Sequence, residues 1–259
     1  PKAALALVER ACALIGTPYG RQLERKRQRV LAALAEYPRL AAVAVGAPCR
    51  LDRAVGCLAV ALLLQITANL ANDLSDFRKG ADMPERTGPI RVAAAGLVTE
   101  RQLQVAIVVT IALAVIVGLW LTVVGGPILL ALGALAIVAA LAYTGGPWPY
   151  GYRGLGEVFV FVFFGLVAVA GTAYLQAGRT EPLFVAAAIP VGALTTAILV
   201  VNNLRDIPTD TIAGKRTLAV ILGPHATTVE YAVLLLMAFV VPVALAATGS
   251  GVAVLLPLL

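Results

Sequence analysis

Long, uninterrupted runs of apolar side chains constrain this chain more than any other feature of its sequence. Six such runs occupy about residues 54–71, 102–121, 127–144, 157–177, 183–201 and 229–247, and a seventh begins near Val252. At about 1.5 Å of rise per residue, a helix of this length matches the roughly 30 Å hydrocarbon core of a bilayer. Because the runs are long and do not alternate with polar residues, they predict membrane-spanning helices and not a β-barrel.

The composition agrees with a membrane protein. Hydrophobic residues make up 60% of the chain and charged residues only 13%, whereas soluble domains carry about 25% charged residues. The net charge of +6 comes without the basic and aromatic interleaving typical of single-stranded nucleic-acid binding. The three cysteines have neither disulfide-framework nor zinc-site spacing. We therefore predict an all-α polytopic transmembrane helix bundle with six complete spans and a truncated seventh, and no nucleic-acid partner.

Residues 1–53 differ from the rest of the chain. They hold half of the 20 lysines and arginines, and none of their apolar runs reaches the length of about 18 residues that predicts a span. An amphipathic helix over 21–36, lying on the membrane surface, fits this pattern. We divide the chain into an atypical basic N-terminal segment, 1–53, and a transmembrane domain, 54–259, which we expect to be truncated at its C-terminus.

Two polar segments follow apolar runs and carry all four asparagines and five of the six aspartates of the chain. The first acidic stretch is 69–82 and the second is 202–210. Asn72 precedes Asp76 by four residues, and Asn202 precedes Asp206 by four. Residues three and four apart share a face of a helix, so each stretch predicts a row of oxygen atoms. Gly80 is expected to end the first helix and let Asp82 fold back. Pro208 is expected to kink or end the second helix, which would place Asp210 in a turn.

Four predicted spans separate the two stretches, so both must lie on the same side of the membrane. The connection 145–156 falls on that side as well. Most lysines and arginines after residue 53 are also there, whereas the opposite connections hold only Arg179. By the positive-inside rule, the side with the acidic stretches is predicted to be cytoplasmic, in the cell membrane.

Two facing rows of carboxylate and amide oxygens suit Mg²⁺, which prefers hard oxygen ligands and keeps substrate phosphates in its shell. Cations lie next to these acids in the sequence, namely Arg78, Lys79, Lys215 and Arg216. Acids with adjacent cations fit a metal-bridged diphosphate held by cationic side chains. Four aromatic residues on the same side could stabilise an allylic cation by cation–π contact, namely Tyr143, Trp148, Tyr150 and Tyr152.

The two stretches resemble the signature motifs of UbiA-type membrane prenyltransferases. Within that superfamily, segments 72–82, 143–157 and 206–223 look most like the 1,4-dihydroxy-2-naphthoate prenyltransferases of menaquinone biosynthesis. The resemblance covers about residues 56–259. It implies a bundle of about nine helices and the Mg²⁺-dependent transfer of a polyprenyl group from its diphosphate to an aromatic acceptor, with loss of CO₂ and release of diphosphate. The product from 1,4-dihydroxy-2-naphthoate would be demethylmenaquinone.

The resemblance also implies roles for individual residues. Those of the metal–diphosphate site are Asn72, Asp76, Asp206 and Asp210, with Asp73, Asp82 and Asn202 in support. Arg78, Lys79 and Lys215 are the candidates for diphosphate contact, and Asp73, Asp76, Asp206 and Asp210 are the candidates for catalysis. Tyr143, Tyr150 and Glu157 are the candidates for the acceptor and cation pocket. Residues 1–53 lack the first span that the family normally carries, so we expect truncation at both ends or a disrupted reading frame near the start.

Other functions remain open at this point. The same chemistry could act on homogentisate, 4-hydroxybenzoate, or a lipid or chlorin alcohol. A transporter with acids at the membrane midplane is a non-enzymatic alternative, but here the acids gather at the ends of spans. A soluble terpene cyclase also uses acidic metal motifs, and the composition excludes it.

Overall fold

A computed structural model describes residues 50–80, 93 and 95–247. Within them the chain forms helices and no strands. The helices are α1 Leu51–Arg78, α2 Glu100–Gly125, α3 Ile128–Ala142, α4 Gly156–Ala177, α5 Pro182–Ile212 and α6 Leu218–Ala247, the last broken by a kink at Gly223, whose backbone is not helical. A single 3₁₀ turn, Tyr150–Arg153, lies between α3 and α4. The predicted surface helix at 21–36, the run near Val252 and the N-terminal segment up to residue 49 lie outside the described residues.

Five of the helices are long and apolar enough to cross a membrane, namely α1, α2, α4, α5 and α6. Helix α3, with 15 residues, is shorter. Helices form their backbone hydrogen bonds within the segment, which lipid requires, and large apolar side chains such as Val123 and Leu236 remain exposed on the outside. The predicted all-α polytopic bundle is confirmed.

Local signals in the sequence fix several helix ends. Thr99 and Gln102 form a reciprocal capping box at the start of α2, and Pro182 occupies the first turn of α5, where its missing N–H costs nothing. Helix α1 ends at Arg78, and Gly80 then adopts a positive φ of 65°. The predicted end of the first helix at Gly80 is thus observed, while Asp82 lies outside the described residues.

Helix α5 differs from the prediction at Pro208. The helix continues through this proline to Ile212, so Asp210 is helical and not in a turn. The fixed φ of proline is compatible with a helix, and the residue removes only one backbone hydrogen bond. The hydroxyls of Thr209 and Thr211 donate to the carbonyls of Asp206 and Ile207 in this last turn. The predicted connection 202–228 accordingly shrinks to residues 213–217 between α5 and α6.

Helix α4 contains an unusual central segment. Its ends are α-helical, but Phe161–Ala170 has the wider π-helical hydrogen-bond pattern. This segment packs against α5, and α5 packs in turn against α6. At the end of the bundle away from the acidic stretches, the backbone of Arg50 exchanges hydrogen bonds of 2.9 and 3.0 Å with the side chain of Gln176. Helix α1 thus begins beside the end of α4.

Two glycines allow α4 and α5 to approach closely. A Cβ atom added at Gly165 would lie 2.6 Å from the Cα of Gly192, which is backbone and cannot turn aside. We expect Gly165→Ala to destabilise the protein by about 1–3 kcal/mol, because the two helices must separate. Gly171→Ala in the same helix meets open space and is the matched control. In mixed micelles, the free energy of unfolding should fall for Gly165→Ala and stay at the wild-type value for Gly171→Ala. A Gly165→Ala variant as stable as the wild type would contradict this packing.

Candidate active site

One cavity of about 920 Å³ runs between the helices and contains most of the predicted site residues. Both acidic stretches line its polar end with side chains from α1 and α5. These are Asn69, Asn72, Asp73, Asp76, Asn202, Asp206 and Asp210. The cavity then continues between apolar walls to Cys57 and Leu175 near the other end of the bundle. The two stretches therefore share one side of the bundle and one space.

Asp76, in the first stretch, is bonded to two other parts of the chain. Its carboxylate is only 1% exposed. Lys215, from the connection between α5 and α6, donates a hydrogen bond of 2.7 Å to Asp76 Oδ2. Tyr152, from the 3₁₀ turn, donates a hydrogen bond of 2.9 Å to Asp76 Oδ1. A buried charge needs such partners, so three distant parts of the chain converge on this carboxylate.

Two lysines lie over the ring of Tyr152. The Nζ atoms of Lys79 and Lys215 are 4.3 and 5.0 Å from the ring centroid, within the range of cation–π attraction. Lys79 also donates a hydrogen bond to the backbone carbonyl of Thr144. Partial burial lowers the pKa of Lys79, Asp76 opposes that shift, and the charge of Lys215 adds to it. The pair concentrates positive charge beside the acidic end of the cavity.

Thr144 connects the first acidic stretch to the connection after α3. Its hydroxyl donates to Asn72 Oδ1 at 2.9 Å, and its carbonyl accepts from the hydroxyl of Ser75 at 2.6 Å. Thr144 is 4% exposed. Thr144 was not among the predicted site residues, because a threonine after an apolar run carries no distinctive signal in the sequence. These bonds fix the orientation of the Asn72 amide in the cavity wall.

Aromatic rings line the cavity next to the polar end. Tyr143 packs edge-on against Tyr150, with 5.4 Å between ring centroids, and Tyr150 stacks on Phe159 at 3.9 Å. Burial, chiefly, and then the charge of Glu157 raise the pKa of Tyr143 above its ordinary value, so its phenol stays protonated at neutral pH. Trp148, predicted with this group, lies elsewhere: it is 50% exposed and contacts Arg153.

Three candidate residues differ from the prediction. Arg78 is directed away from the cavity and pairs with Glu100, because it lies on the opposite face of α1 from Asp76. Lys79 is near the site but does not line the cavity itself. Glu157 is buried in the first turn of α4, 5% exposed, and does not line the cavity either. It is bonded instead to Asn203, which does.

The side chains at the polar end of the cavity are of the types that bind a hard divalent cation. The donors at the polar end are carboxylate and amide oxygens, and Asp76 already binds one cation, the ammonium of Lys215. In the described part of the chain, no group of three acidic, histidine or cysteine side chains is gathered tightly enough to hold a metal by themselves. Mg²⁺ commonly takes only one or two carboxylates and completes its shell with water and substrate phosphates.

Comparison with known proteins gives a consistent set of relatives. The model of the UbiA prenyltransferase family matches residues 30–259. The chain is 48% identical over 186 residues to a 1,4-dihydroxy-2-naphthoate octaprenyltransferase of Mycobacterium tuberculosis, covering 72% of this chain and 63% of that protein. Proteins of the same name from Escherichia coli and Haemophilus influenzae are 46% and 40% identical, over 64% and 78% of this chain and 56% and 70% of their own lengths.

The contacts of Asp76 lead to a stability prediction. Lys215→Met leaves the buried carboxylate without its cationic partner and should destabilise the protein by about 2–3 kcal/mol. The double variant Asp76→Asn with Lys215→Met should recover part of that loss. Arg205→Met is the matched control, because its pair with Asp206 is exposed and worth at most about 1 kcal/mol. A double-mutant cycle by micellar unfolding measures the coupling, and a value near zero would contradict the ion pair.

Proposed function

Because this chain belongs to the UbiA prenyltransferase family, we propose that it transfers a polyprenyl group from its diphosphate to an aromatic acceptor in a Mg²⁺-dependent reaction. We propose 1,4-dihydroxy-2-naphthoate as the acceptor, since that is the substrate in the names of the relatives. The products would be CO₂, diphosphate and the prenylated 1,4-naphthohydroquinone, which is the reduced form of demethylmenaquinone and yields the quinone on a later two-electron oxidation. The observation that carries the proposal is the single cavity, which joins acids and cations at one end to a long apolar space.

The polar end of the cavity suits the diphosphate. Asn72, Asp76, Asp206 and Asp210 would hold Mg²⁺, which when bound would neutralise charge on the leaving diphosphate. The ammonium group of Lys215 would bind a diphosphate oxygen. Lys79, which lies over the ring of Tyr152, would add to the positive electrostatic potential at this end of the cavity. These cations favour the state in which negative charge has moved onto the diphosphate, so they lower the barrier to breaking the allylic C–O bond.

The aromatic residues suit the carbon that is transferred. The rings of Tyr143, Tyr150 and Phe159 line the cavity beside the acids. Their faces attract a developing allylic cation by roughly 0.5–2 kcal/mol each, and their bulk excludes water that would otherwise trap it. The ring carbon of the acceptor that bears the carboxylate then forms the new C–C bond. CO₂ leaves, and the electron pair of the broken C–C bond returns to the ring.

The apolar part of the cavity suits the polyprenyl chain. Cys57 and Asp76 both line it and are 19 residues apart on α1, so this space extends roughly 28 Å along the helix. Its walls include Leu64, Leu121 and Phe163. A hydrocarbon chain held here stays out of water, and because lipid tails are as apolar as these walls, moving the chain from lipid into the cavity carries little hydrophobic free energy.

We also propose that the polar end faces the cytoplasm in the cell membrane. The basic residues Arg153 and Arg205 lie at this end with the two lysines, whereas the opposite connection between α4 and α5 carries only Arg179 among the described residues. Positive charge in short connections favours the cytoplasmic side. A water-soluble acceptor and diphosphate product could then exchange directly with the cytoplasm.

An activity assay tests the proposed reaction. Membranes containing the protein, incubated with a polyprenyl diphosphate, Mg²⁺ and 1,4-dihydroxy-2-naphthoate, should form a decarboxylated prenyl product identified by mass. Chelation should abolish the product and added Mg²⁺ should restore it. Parallel incubations with homogentisate and with 4-hydroxybenzoate in place of 1,4-dihydroxy-2-naphthoate show which acceptor is prenylated. No product from any acceptor would contradict the proposed function.

Substitution of the acids tests the site. Asp76→Asn and Asp206→Asn should each lower kcat by at least about 100-fold, because each removes a charged oxygen ligand while preserving shape. The matched control is Asp52→Asn, an exposed acid in the first turn of α1 at the opposite end of the bundle, which should retain full activity. Unchanged activity in both site variants would remove the metal–diphosphate assignment.

A further inference from the structure

Glu157 and Asn203 form a buried pair behind the polar end of the cavity. Asn203 Nδ2 donates a hydrogen bond of 2.8 Å to Glu157 Oε1, joining α5 to the first turn of α4. Glu157 is 5% exposed and Asn203 is 8% exposed. Only Asn203 lines the cavity. Neither residue has a part in the diphosphate chemistry described above, and a buried carboxyl that serves only packing would be costly.

The carboxyl group determines which way the amide is turned. When Glu157 is ionised, its Oε1 has no hydrogen to donate and can only accept a hydrogen bond. The atom that faces it must therefore be the amide nitrogen, which is a donor, and not the amide oxygen. Asn203 Oδ1 then points the other way, and no described residue donates a hydrogen bond to it. The pair thus presents a fixed acceptor, not a donor, at the cavity wall.

The surroundings of this oxygen suit an aromatic ring that carries a hydroxyl group. Tyr143 lies on the same side, packed so closely on α4 that a Cβ atom at Gly156 would be 3.2 Å from its ring. Its ring offers an apolar face to a flat ligand. The metal-type donors Asp206 and Asp210 are on later turns of α5, whereas Asn203 is bonded to the first turn of α4, where Gly156 packs against Tyr143.

We infer that Asn203 Oδ1 accepts a hydrogen bond from a ring hydroxyl of the aromatic acceptor and that Glu157 is the positioning residue that holds the amide in this orientation. The inference rests on the proposed function and adds a requirement to it. The ring position of the acceptor that faces Asn203 must carry a free hydroxyl as a hydrogen-bond donor. A methyl ether at that position cannot donate this bond. The bond also leaves more electron density on the ring, which favours attack on the allylic carbon.

Methyl ethers of the acceptor test the contact at Asn203. The probes are 1,4-dihydroxy-2-naphthoate and its two mono-O-methyl ethers, with binding to the purified protein measured under anaerobic conditions and KM measured for those that react. The wild type should bind the diol about tenfold more tightly than one of the ethers, because that ether leaves the buried oxygen unpaired. Asn203→Leu should reduce this ratio to near one while leaving KM for the polyprenyl diphosphate unchanged. A ratio that persists in Asn203→Leu would overturn the inference.

An exchange of the two side chains tests the role of Glu157. Asn203→Asp alone sets two carboxyl groups against each other and should raise the acceptor KM about tenfold. In the double variant Glu157→Gln with Asn203→Asp, the new amide donates to the new carboxylate, whose second oxygen again faces the cavity. The acceptor KM should return most of the way to the wild-type value. A double variant no better than Asn203→Asp would overturn the positioning role.

A control separates these effects from a general loss of packing. Thr196→Val replaces another buried polar side chain of α5, 3% exposed and outside the cavity lining, whose hydroxyl has no hydrogen-bond partner among the described residues. It should alter neither the preference for the diol nor either KM. If the wild type makes no prenylated product with any acceptor, the proposed function fails. If the wild type is active and Asn203→Leu keeps the preference for the diol, only the present inference fails.

Discussion

The buried carboxylate of Asp76 is the interaction on which the polar end of this bundle depends. A charge with 1% exposure is stable only if its oxygens are bonded, and the bonds come from Lys215 and Tyr152. These two partners are 139 and 76 residues away in the sequence. Two connections at one end of the bundle are thereby held against helix α1 around one group. The same requirement that stabilises the fold also gathers the cations and oxygens that a diphosphate needs.

The helices were predictable because lipid allows few alternatives. An apolar run of span length must form its backbone hydrogen bonds within itself, because lipid offers no partners. Hydropathy alone therefore located all six described helices. Their ends were less predictable, since hydropathy reports where the apolar surface stops and not where the hydrogen bonding stops. Helix α5 continues for 11 residues beyond the apolar run that ends at Val201, and Pro208 did not end it. The threonine hydroxyls beside this proline bond to carbonyls that only the folded turn brings within reach.

The candidate site was predictable in its charged residues and not in its supporting contacts. The four-residue spacing from Asn72 to Asp76 and from Asn202 to Asp206 indicated shared helix faces, and the structure brings both pairs to one cavity. The sequence could not separate Arg78 from Lys79, because neighbours on a helix point about 100° apart and the direction of the cavity was unknown. Nor could it pair Glu157 with Asn203, since a hydrogen bond over 46 residues leaves no local pattern.

The π-helical segment of α4 has a geometric consequence for the cavity. Two rows of side chains spaced by four residues line the cavity along this helix; one row is Phe159, Phe163, Val167 and Gly171, and the other is Val160, Phe164, Ala168 and Thr172. In an α-helix a step of four residues overshoots a full turn by about 40°, so three steps would carry a row about 120° around the axis. The wider turns over Phe161–Ala170 reduce that drift. Helix α4 can therefore line the apolar part of the cavity with the same two rows of side chains along its length.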